Sequence, residues 1–282
     1  MKHIIIDGNN NMWRFYSIYK NFRKKYPGIF GMLNFYLSLL NKFGNNCKYY
    51  FIWDCGKDKQ RLLLYKNYKK KEVSPEKKMQ FKEVIAEINL LENFLKKLPV
   101  YTFKIPGEEG DDIVASLVCL IDGEKIIVST DRDFYQLVRD DVSVYNPVKD
   151  VFCTELNFKD INGVSKDKFL FYRALIGDNS DNIKGVYGIG PKKAEFIVNN
   201  VSLEDIEKET VDKKFKYILD YKDIIFLNMK LMKLYSSKDL CEKVGNILKQ
   251  GVPLFDKNGI EKMFWTYDMM DIWRYFENLN VY

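Results

Sequence analysis

Nine carboxylates carry the chemical signal in this chain. Asp7, Asp54 and Asp131 each fall at the end of an apolar run that reads as a β-strand, and Asp133 lies two residues beyond Asp131. Glu109, Asp111 and Asp112 stand between a third such run and the helix that follows it. Asp178 and Asp181 sit three apart in the stretch GDNSDN, a spacing that can face both one way on a turn. So many like charges in one place repel and take up protons unless something compensates them. Divalent cations are the natural compensation, because Mg²⁺ and Mn²⁺ prefer oxygen ligands. A pair of such ions about 3.5–4 Å apart can activate a water and stabilise the leaving oxygen of a phosphodiester. A single Asp at a strand end reads as a helix cap or a loop residue. The joint placement of nine points to a two-metal site.

The rest of the composition narrows the chemistry further. The chain has 282 residues and one histidine, His3, which lies in an apolar N-terminal run and reads as a strand residue. Nucleophilic machinery built on an imidazole is therefore not expected. Cys47, Cys55, Cys119, Cys153 and Cys241 form no C-x-x-C pair, which disfavours both a zinc cluster and a disulfide framework. Such cysteine usage fits a reducing cytoplasm. No apolar run reaches the ~18–20 residues of a membrane span, and the N-terminus lacks the long apolar region of a secretory signal. A cytoplasmic protein with no membrane partner is expected. There are 45 basic and 39 acidic residues, for a net charge of +6. With the nine carboxylates set aside, 30 acidic residues remain against the 45 basic ones, leaving +15 on the rest of the chain. That excess suits a nucleic-acid surface.

Two further stretches support that partner. In GVYGIGPKKA (residues 185–194), Gly188 and Gly190 permit a tight hairpin with positive φ and a close backbone approach. Pro191 suits the first turn of a helix. The amides at that helix start, with Lys192 and Lys193, can hold a phosphate. The stretch reads as a helix-hairpin-helix that grips a backbone without reading sequence. The second stretch interleaves Arg61, Lys66, Lys69, Lys70 and Lys71 with Tyr65 and Tyr68. A charge run alone is a solvated face. The tyrosines add the option of a single strand, since they can stack on bases while lysines track phosphates.

The elements that must position these residues follow from hydrophobic periodicity. Strands are expected at 3–7, 49–54, 100–105 and 125–130, with a small hairpin at 143–148 and 151–154. Helices are expected at 31–43, 79–98 and 109–121, with a loop between residue 7 and the first of them. In the helix at 79–98, Phe81, Val84, Ile85, Ile88, Leu91, Phe94, Leu95 and Leu98 should form the buried face. This order is βαβαβαβ, an α/β fold with a mainly parallel central sheet and helices on both faces. Beyond about residue 165 only helices are expected, at 168–176, 191–199, 213–219, 224–234 and 259–276.

Taken together, IIIDGNN, FIWD, GEEGDD, STDRDF and GDNSDNIKGVYGIGPKKA, in this order and spacing, resemble the 5′ nucleases. That family includes the flap endonucleases of bacteriophages and the 5′-exonuclease domain of bacterial DNA polymerase I. The resemblance runs from His3 to about Phe276. The length leaves no room for a polymerase, so a free-standing enzyme is expected, as in phages.

The resemblance implies a PIN-like nuclease core at 1–164 that includes a helical arch at about 57–78. It implies a helical DNA-binding subdomain at 165–282, with the helix-hairpin-helix (helix-three-turn-helix) at about 183–200. Asp7, Asp54, Glu109, Asp111, Asp112, Asp131 and Asp133 match the family's metal-site acids, and Asp178 and Asp181 its second-metal pair. Arg14 matches an active-site arginine, and Lys69 the arch lysine that contacts the scissile phosphate, with Tyr68 beside it. Arg173 stands where the family has a basic residue near the metals and is expected to contact DNA, and Glu108 reads as a bystander. Where the family has an arginine three residues after the lysine, this chain has Glu72, so Lys70 and Lys71 are left to supply that charge.

The implied activity is that of a 5′→3′ exonuclease and flap endonuclease. It needs two Mg²⁺ ions, for which Mn²⁺ can substitute, and a K⁺ ion at the helix-hairpin-helix. The implied partners are branched or 5′-flap DNA and RNA–DNA hybrids, bound by a monomer. Two rival readings are a PIN-like ribonuclease, which would lack the arch and the helix-hairpin-helix, and a non-catalytic branched-DNA-binding protein, which would have lost some of the acids.

Overall fold

Three consecutive isoleucines make the first strand, β1 (Lys2–Asp7), suited to the middle of a sheet covered on both faces. Ile4, Ile5 and Ile6 are fully buried. The computed structural model, which describes residues 1–23 and 25–277, places β1 between β2 (Cys47–Trp53) and β4 (Glu124–Val128), parallel to both. With β3 (Tyr101–Lys104), β5 (Val142–Asn146) and β6 (Val151–Cys153) the sheet runs β3-β2-β1-β4-β5-β6. Only β6 is antiparallel to its neighbour. The strand order reverses at β1, and in such sheets ligands bind beyond the carboxyl ends of the strands at the reversal. Asp7 pairs with Ile52 and Ile6 with Val128, so three strand ends reach the same height at that point.

The helices are α1 (Gly8–Tyr19), α2 (Pro27–Phe43), α3 (Lys59–Leu64), α4 (Pro75–Leu95), α5 (Gly110–Leu120), α6 (Phe158–Asn162), α7 (Lys166–Ile176), α8 (Pro191–Asn200), α9 (Leu203–Lys208), α10 (Lys222–Met232), α11 (Lys238–Gln250), α12 (Lys257–Thr266) and α13 (Met270–Phe276). Side chains alternate across a strand, and this splits the core in two. Ile4 and Ile6 pack with α1, α2, α4, α12 and α13, whereas Ile5 faces α5, α7, α8, α10 and α11. The cores do not divide at residue 164, because the last two helices return to the layer of the first two. Residues 278–282, the end of the expected helical part, lie outside the described residues.

The mainly parallel α/β sheet with helices on both faces is as expected, but several elements differ. No loop follows Asp7. The chain enters α1 at once, with the Asp7 side chain accepting from the Asn10 amide at 3.1 Å as its cap. Three asparagines in a first turn have poor helix propensity, which is why the periodicity did not reveal it. On α4, Phe81 and Ile85 are 43% and 54% exposed, because the stripe of Val84, Ile88, Leu91, Phe94 and Leu95 faces the core and these two lie beside it. Phe81 instead meets Trp13 edge-on, with ring centroids 4.6 Å apart.

The expected helix at 259–276 is two helices, broken where Asp268 takes a left-handed φ of 58°. Residues 213–219 lie in a 3₁₀ helix, Lys213–Tyr221. GDNSDNIK is a minute antiparallel ladder, β7 (Gly177–Asp178) with β8 (Ile183–Lys184), in a region where only helices were expected.

Candidate active site

The carboxylates gather at the reversal of strand order. Asp7 accepts from the Ser129 hydroxyl at 2.7 Å, and Asp54 accepts from the Gly110 amide at 2.7 Å. Asp131 follows β4; its backbone amide donates to Ser129 Oγ at 3.0 Å, and its carboxylate accepts from the Asp133 amide at 2.9 Å. Glu109 caps α5, and Asp111 and Asp112 occupy its first turn, where the helix dipole favours negative charge. One oxygen from each of Glu109, Asp111 and Asp112 lies within 4.8 Å of the others. Asp7, Asp54, Asp111, Asp131 and Asp181 line one cleft of about 440 Å³, with Lys69, Asn10, Trp13 and Phe81 completing its wall.

The asparagines after β1 hold this cleft open. Asn9 Oδ1 accepts from the Asp54 amide at 3.0 Å, and Asn10 Oδ1 from the Thr130 hydroxyl at 2.8 Å. Asn11 donates to the carbonyls of Asp7 and Val128 at 2.8 and 3.2 Å. Three of these four bonds tie the end of β1 to the end of a neighbouring strand. Gly8 is demanded by the same approach, since a Cβ there would lie 2.5 Å from the Ile52 carbonyl oxygen. Sequence reasoning missed these positions. The signal was the run of asparagines directly behind a strand-ending aspartate.

The second group is arranged differently from expectation. Asp178 and Asp181 do not face one way. Arg173 bridges Asp133 and Asp178 at 2.7 Å each, while Asp181 turns into the cleft. Arg173 is 9% exposed and spends its guanidinium on these acids, so it positions them and offers no surface to DNA.

Arg61 and Tyr68 require the same correction. Arg61 is 2% exposed, binds Asp112 through both terminal nitrogens, and reaches Glu109 at 3.0 Å. Tyr68 is 1% exposed and donates to Glu109 at 2.9 Å. Neither can touch a nucleic acid in this conformation. The expected arch does not stand clear of the body: α3 is followed by turns, and the Lys69 amide is bonded to the Asp181 carbonyl at 2.8 Å. The Asn182 side chain holds the Asn67 carbonyl at 2.8 Å. Lys69 therefore points inward, its Nζ 2.9 Å from Glu109 and 3.9 Å from Asp181. Lys66 and Lys70 are exposed and Tyr65 is half-buried. Glu108 is not among the residues lining the cleft and is held by Lys243 at 2.9 Å.

Arg14 does not line the cleft. It lies over the Phe15 and Phe35 rings and donates to Asn11 at 2.9 Å, and its buried Nε has no hydrogen-bond partner.

In the hairpin, Gly188 has φ of 70° as expected, but Gly190 is an ordinary helix cap with open space around it. The close approach belongs to Gly185, where a Cβ would lie 2.1 Å from the Ile176 carbonyl oxygen. Lys192 and Lys193 are exposed at the start of α8.

The donor set fits divalent ions. Among the described residues only Arg61, Lys69 and Arg173 form ion pairs with the nine carboxylates, and Asp7, Asp54, Asp111 and Asp131 form none. Burial, with Asp131 and Asp54 nearby, pushes Asp7 up to about 7. Burial raises Asp133 to about 7 against the opposing Arg173, and Asp181 to about 6 against the opposing Lys69. Asp111 is driven well above the carboxylate range by burial and by Asp112. Burial also opposes the charge on Lys69, but Asp111, Asp181 and Glu109 outweigh it and raise its pKa. Such acids lack positive charge, and oxygen-ligated cations would supply it.

These shifts predict how the metal-free protein responds to pH. Asp7, Asp133 and Asp181 hold their protons more tightly folded than unfolded. Their contribution to stability is complete below about pH 4 and is lost as the pH rises through about 7. In EDTA the melting temperature should fall by roughly 5 °C between pH 5 and pH 8, and Mg²⁺ should restore it at pH 8. A melting temperature that rises with pH in EDTA would contradict the assignment.

Comparison with known proteins identifies the family and the fold. Residues 2–165 match the family described as 5′-3′ exonuclease, N-terminal resolvase-like domain. The 5′-3′ exonuclease of Buchnera aphidicola subsp. Schizaphis graminum is 34% identical over 206 residues, covering 71% of this chain and 70% of that protein. The flap endonuclease Xni of Shewanella sp. strain MR-4 is 27% identical over 247 residues, covering 85% and 92%. Among solved structures, a flap endonuclease of bacteriophage T5, in a pseudo-enzyme–product complex with DNA and metal ions, superimposes with a TM-score of 0.71 at 24% identity, covering 97% of this chain and all of that one. By sequence over more than half its length, and by a sheet that gathers its acids at one reversal of strand order, the chain belongs to the 5′-3′ exonuclease family.

Proposed function

We propose that this protein is a structure-specific 5′ nuclease, a 5′→3′ exonuclease and flap endonuclease acting on branched or 5′-flap DNA. The observation that carries the reading is the cleft in which Asp7, Asp54, Asp111, Asp131 and Asp181 converge with so little basic compensation. Mg²⁺ ions bound there would lower the pKa of an attacking water and stabilise the leaving 3′ oxygen. Water adds to phosphorus, the bond to the 3′ oxygen breaks, and the products are a 5′ phosphate and a 3′ hydroxyl. No histidine is required.

The chain's own residues supply the positioning. Asp7, Asp54, Asp111, Asp131 and Asp181 are the ligands nearest to hand, with Glu109 and Asp112 behind them, restrained by Arg61. Arg173 fixes the directions of Asp133 and Asp178. Lys69 serves as a stand-in cation for Glu109 in the free chain. When DNA and metal arrive it is released to bind a non-bridging oxygen of the scissile phosphate. Trp13 and Phe81 form an apolar wall beside the reacting group. The glycine hairpin at 185–190 and the start of α8 hold the duplex through phosphate contacts, and the hairpin would hold a K⁺ ion that adds positive charge there. Lys66, Lys70 and Lys71 steer the 5′ strand toward the cleft, and the enzyme works as a monomer.

This role for Lys69 makes two readouts move in opposite directions. Lys69→Ala should tighten divalent-metal binding, because a competing charge leaves Glu109, and should slow single-turnover cleavage by about 10²-fold. Calorimetric titration and quenched-flow kinetics measure the two. An unchanged single-turnover rate would remove Lys69 from the mechanism. The substrate class is tested by cleavage of matched DNA and RNA flaps on the same duplex. Faster cleavage of the DNA flap supports the reading, and cleavage confined to RNA would favour a PIN-like ribonuclease.

A further inference from the structure

The stretch GDNSDN ends on Asn182, which does not itself line the cleft. Its backbone takes a left-handed φ of 59°, a conformation that asparagine tolerates. The turn it belongs to is closed by other bonds: the Asn182 backbone amide donates to the Asn179 carbonyl at 3.4 Å, and the Ser180 amide to Asp178 at 2.6 Å. The Asn182 side chain instead reaches 115 positions along the chain and donates to the Asn67 carbonyl at 2.8 Å. Its two neighbours grip the same stretch. The Asp181 carbonyl accepts from the Lys69 amide at 2.8 Å, and Ile183 shares a small apolar cluster with Tyr68, Leu231 and Met232. Three consecutive residues, 181–183, therefore hold three consecutive residues, 67–69.

The backbone of Lys69 shows what this hold does. Its φ is 49°, a conformation unfavourable for a lysine that persists only where the surroundings over-determine it. Its amide is fixed by Asp181, and its carbonyl accepts from Lys57 Nζ at 2.8 Å. With the backbone so fixed, the side chain enters the cleft, where Nζ lies 2.9 Å from Glu109. Lys66, Lys70 and Lys71, which flank it, remain exposed.

We infer that Asn182 is a positioning residue of the cleavage step, fixing the Asn67–Lys69 turn so that the Lys69 ammonium reaches the scissile phosphate. The inference rests on the nuclease reading and deepens it. Asn182 touches no reacting atom and acts through Lys69. When the ammonium exchanges Glu109 for a phosphate oxygen, only the side chain has to turn, because the backbone stays bonded to residues 181 and 182. A lysine held in this way loses less freedom on binding than one on a loose chain. A misplacement of about 1 Å can cost about 10²-fold in rate.

Two variants test this. Asn182→Gly keeps the left-handed backbone and removes the side-chain amide. Asn182→Asp keeps the size and the turn preference but sets a carboxylate against the Asn67 carbonyl. Circular dichroism and melting verify that each is folded. Single-turnover cleavage of a 5′-flap DNA in Mg²⁺ should slow by about 10-fold in both, while affinity for the same DNA in EDTA stays unchanged. In a Lys69→Ala background, Asn182→Gly should cost less than about twofold more, because residues that act as a unit are not additive. Calorimetric titration should show Mg²⁺ binding to Asn182→Gly about 2–3-fold more tightly, since a loosened Lys69 competes less for Glu109. No cleavage by the wild-type protein would sink the nuclease reading itself. A wild type that cleaves, with Asn182→Gly equally fast, would overturn this inference alone. Normal cleavage by Asn182→Asp beside a slow Asn182→Gly would overturn it too, since the donor would then be dispensable. A fully additive loss in the double variant, or weaker Mg²⁺ binding by Asn182→Gly, would assign Asn182 to the fold of its loop and overturn it as well.

Discussion

Asp131→Asn is expected to lower the single-turnover rate of 5′-flap cleavage by about 10³-fold or more, with DNA binding nearly unchanged. Asp131 stands at the end of β4 and lines the cleft with Asp7, Asp54 and Asp111, and it has no basic partner among the described residues. The amide keeps the volume. It also keeps an oxygen for the Asp133 amide, so the turn from β4 into Asp133–Leu137 is retained. What is lost is one of the negative charges that draw cations into the cleft. Lys192 and Lys193, proposed to hold the duplex, lie at the start of α8 and are untouched. Quenched-flow cleavage and equilibrium binding measure the two halves of the prediction. Full cleavage by Asp131→Asn in Mg²⁺ would remove this residue from the metal site.

Arg61→Ala is expected to cost about 3–5 kcal/mol of stability, the range seen when one partner of a buried ion pair is removed. Arg61 joins three parts of the chain: α3, on which it lies, Asp112 and Glu109 at the start of α5, and the Lys233 carbonyl at 2.9 Å just after α10. Burial works against its charge, but the hydrogen bonds and charge of Asp112 outweigh this and raise its pKa. Without Arg61, Asp112, 2% exposed, loses its bidentate partner, and Glu109, 1% exposed, is left with Lys69 and Tyr68. They must then take up protons or open the structure to water. Denaturant unfolding at pH 7 reads the loss directly, and Arg61→Lys should recover only part of it, because an ammonium cannot form the paired bonds. A variant as stable as the wild type would show that the pair contributes nothing.

The contrast between these two residues marks what was legible in the sequence. Asp131 could be placed because a strand-ending aspartate in a parallel sheet has one destination, the carboxyl edge. The same logic placed Asp7, Asp54 and the Glu109 group. Arg61, Tyr68 and Arg173 were assigned to DNA because a sequence displays a side chain's charge and polarity but not its partner. In the folded chain the nearest anions are the chain's own carboxylates, and these capture all three. Phe81 and Ile85 fit the helical period yet lie outside the buried stripe, because α4 has only one covered face. Asn9, Asn10 and Asn11 disfavour a helix individually, and only the strand ends they bridge make α1 form.

The central claim is that this carboxylate cleft hydrolyses DNA with divalent ions. Its most direct test is a 5′-flap DNA labelled at the 5′ end, incubated with the purified protein in EDTA and then in Mg²⁺. The account predicts no cleavage in EDTA. In Mg²⁺ it predicts release of the flap near the junction, leaving a 5′ phosphate on the remaining strand. Cleavage that proceeds undiminished in EDTA, or none in Mg²⁺ while the flap DNA is bound, would contradict it.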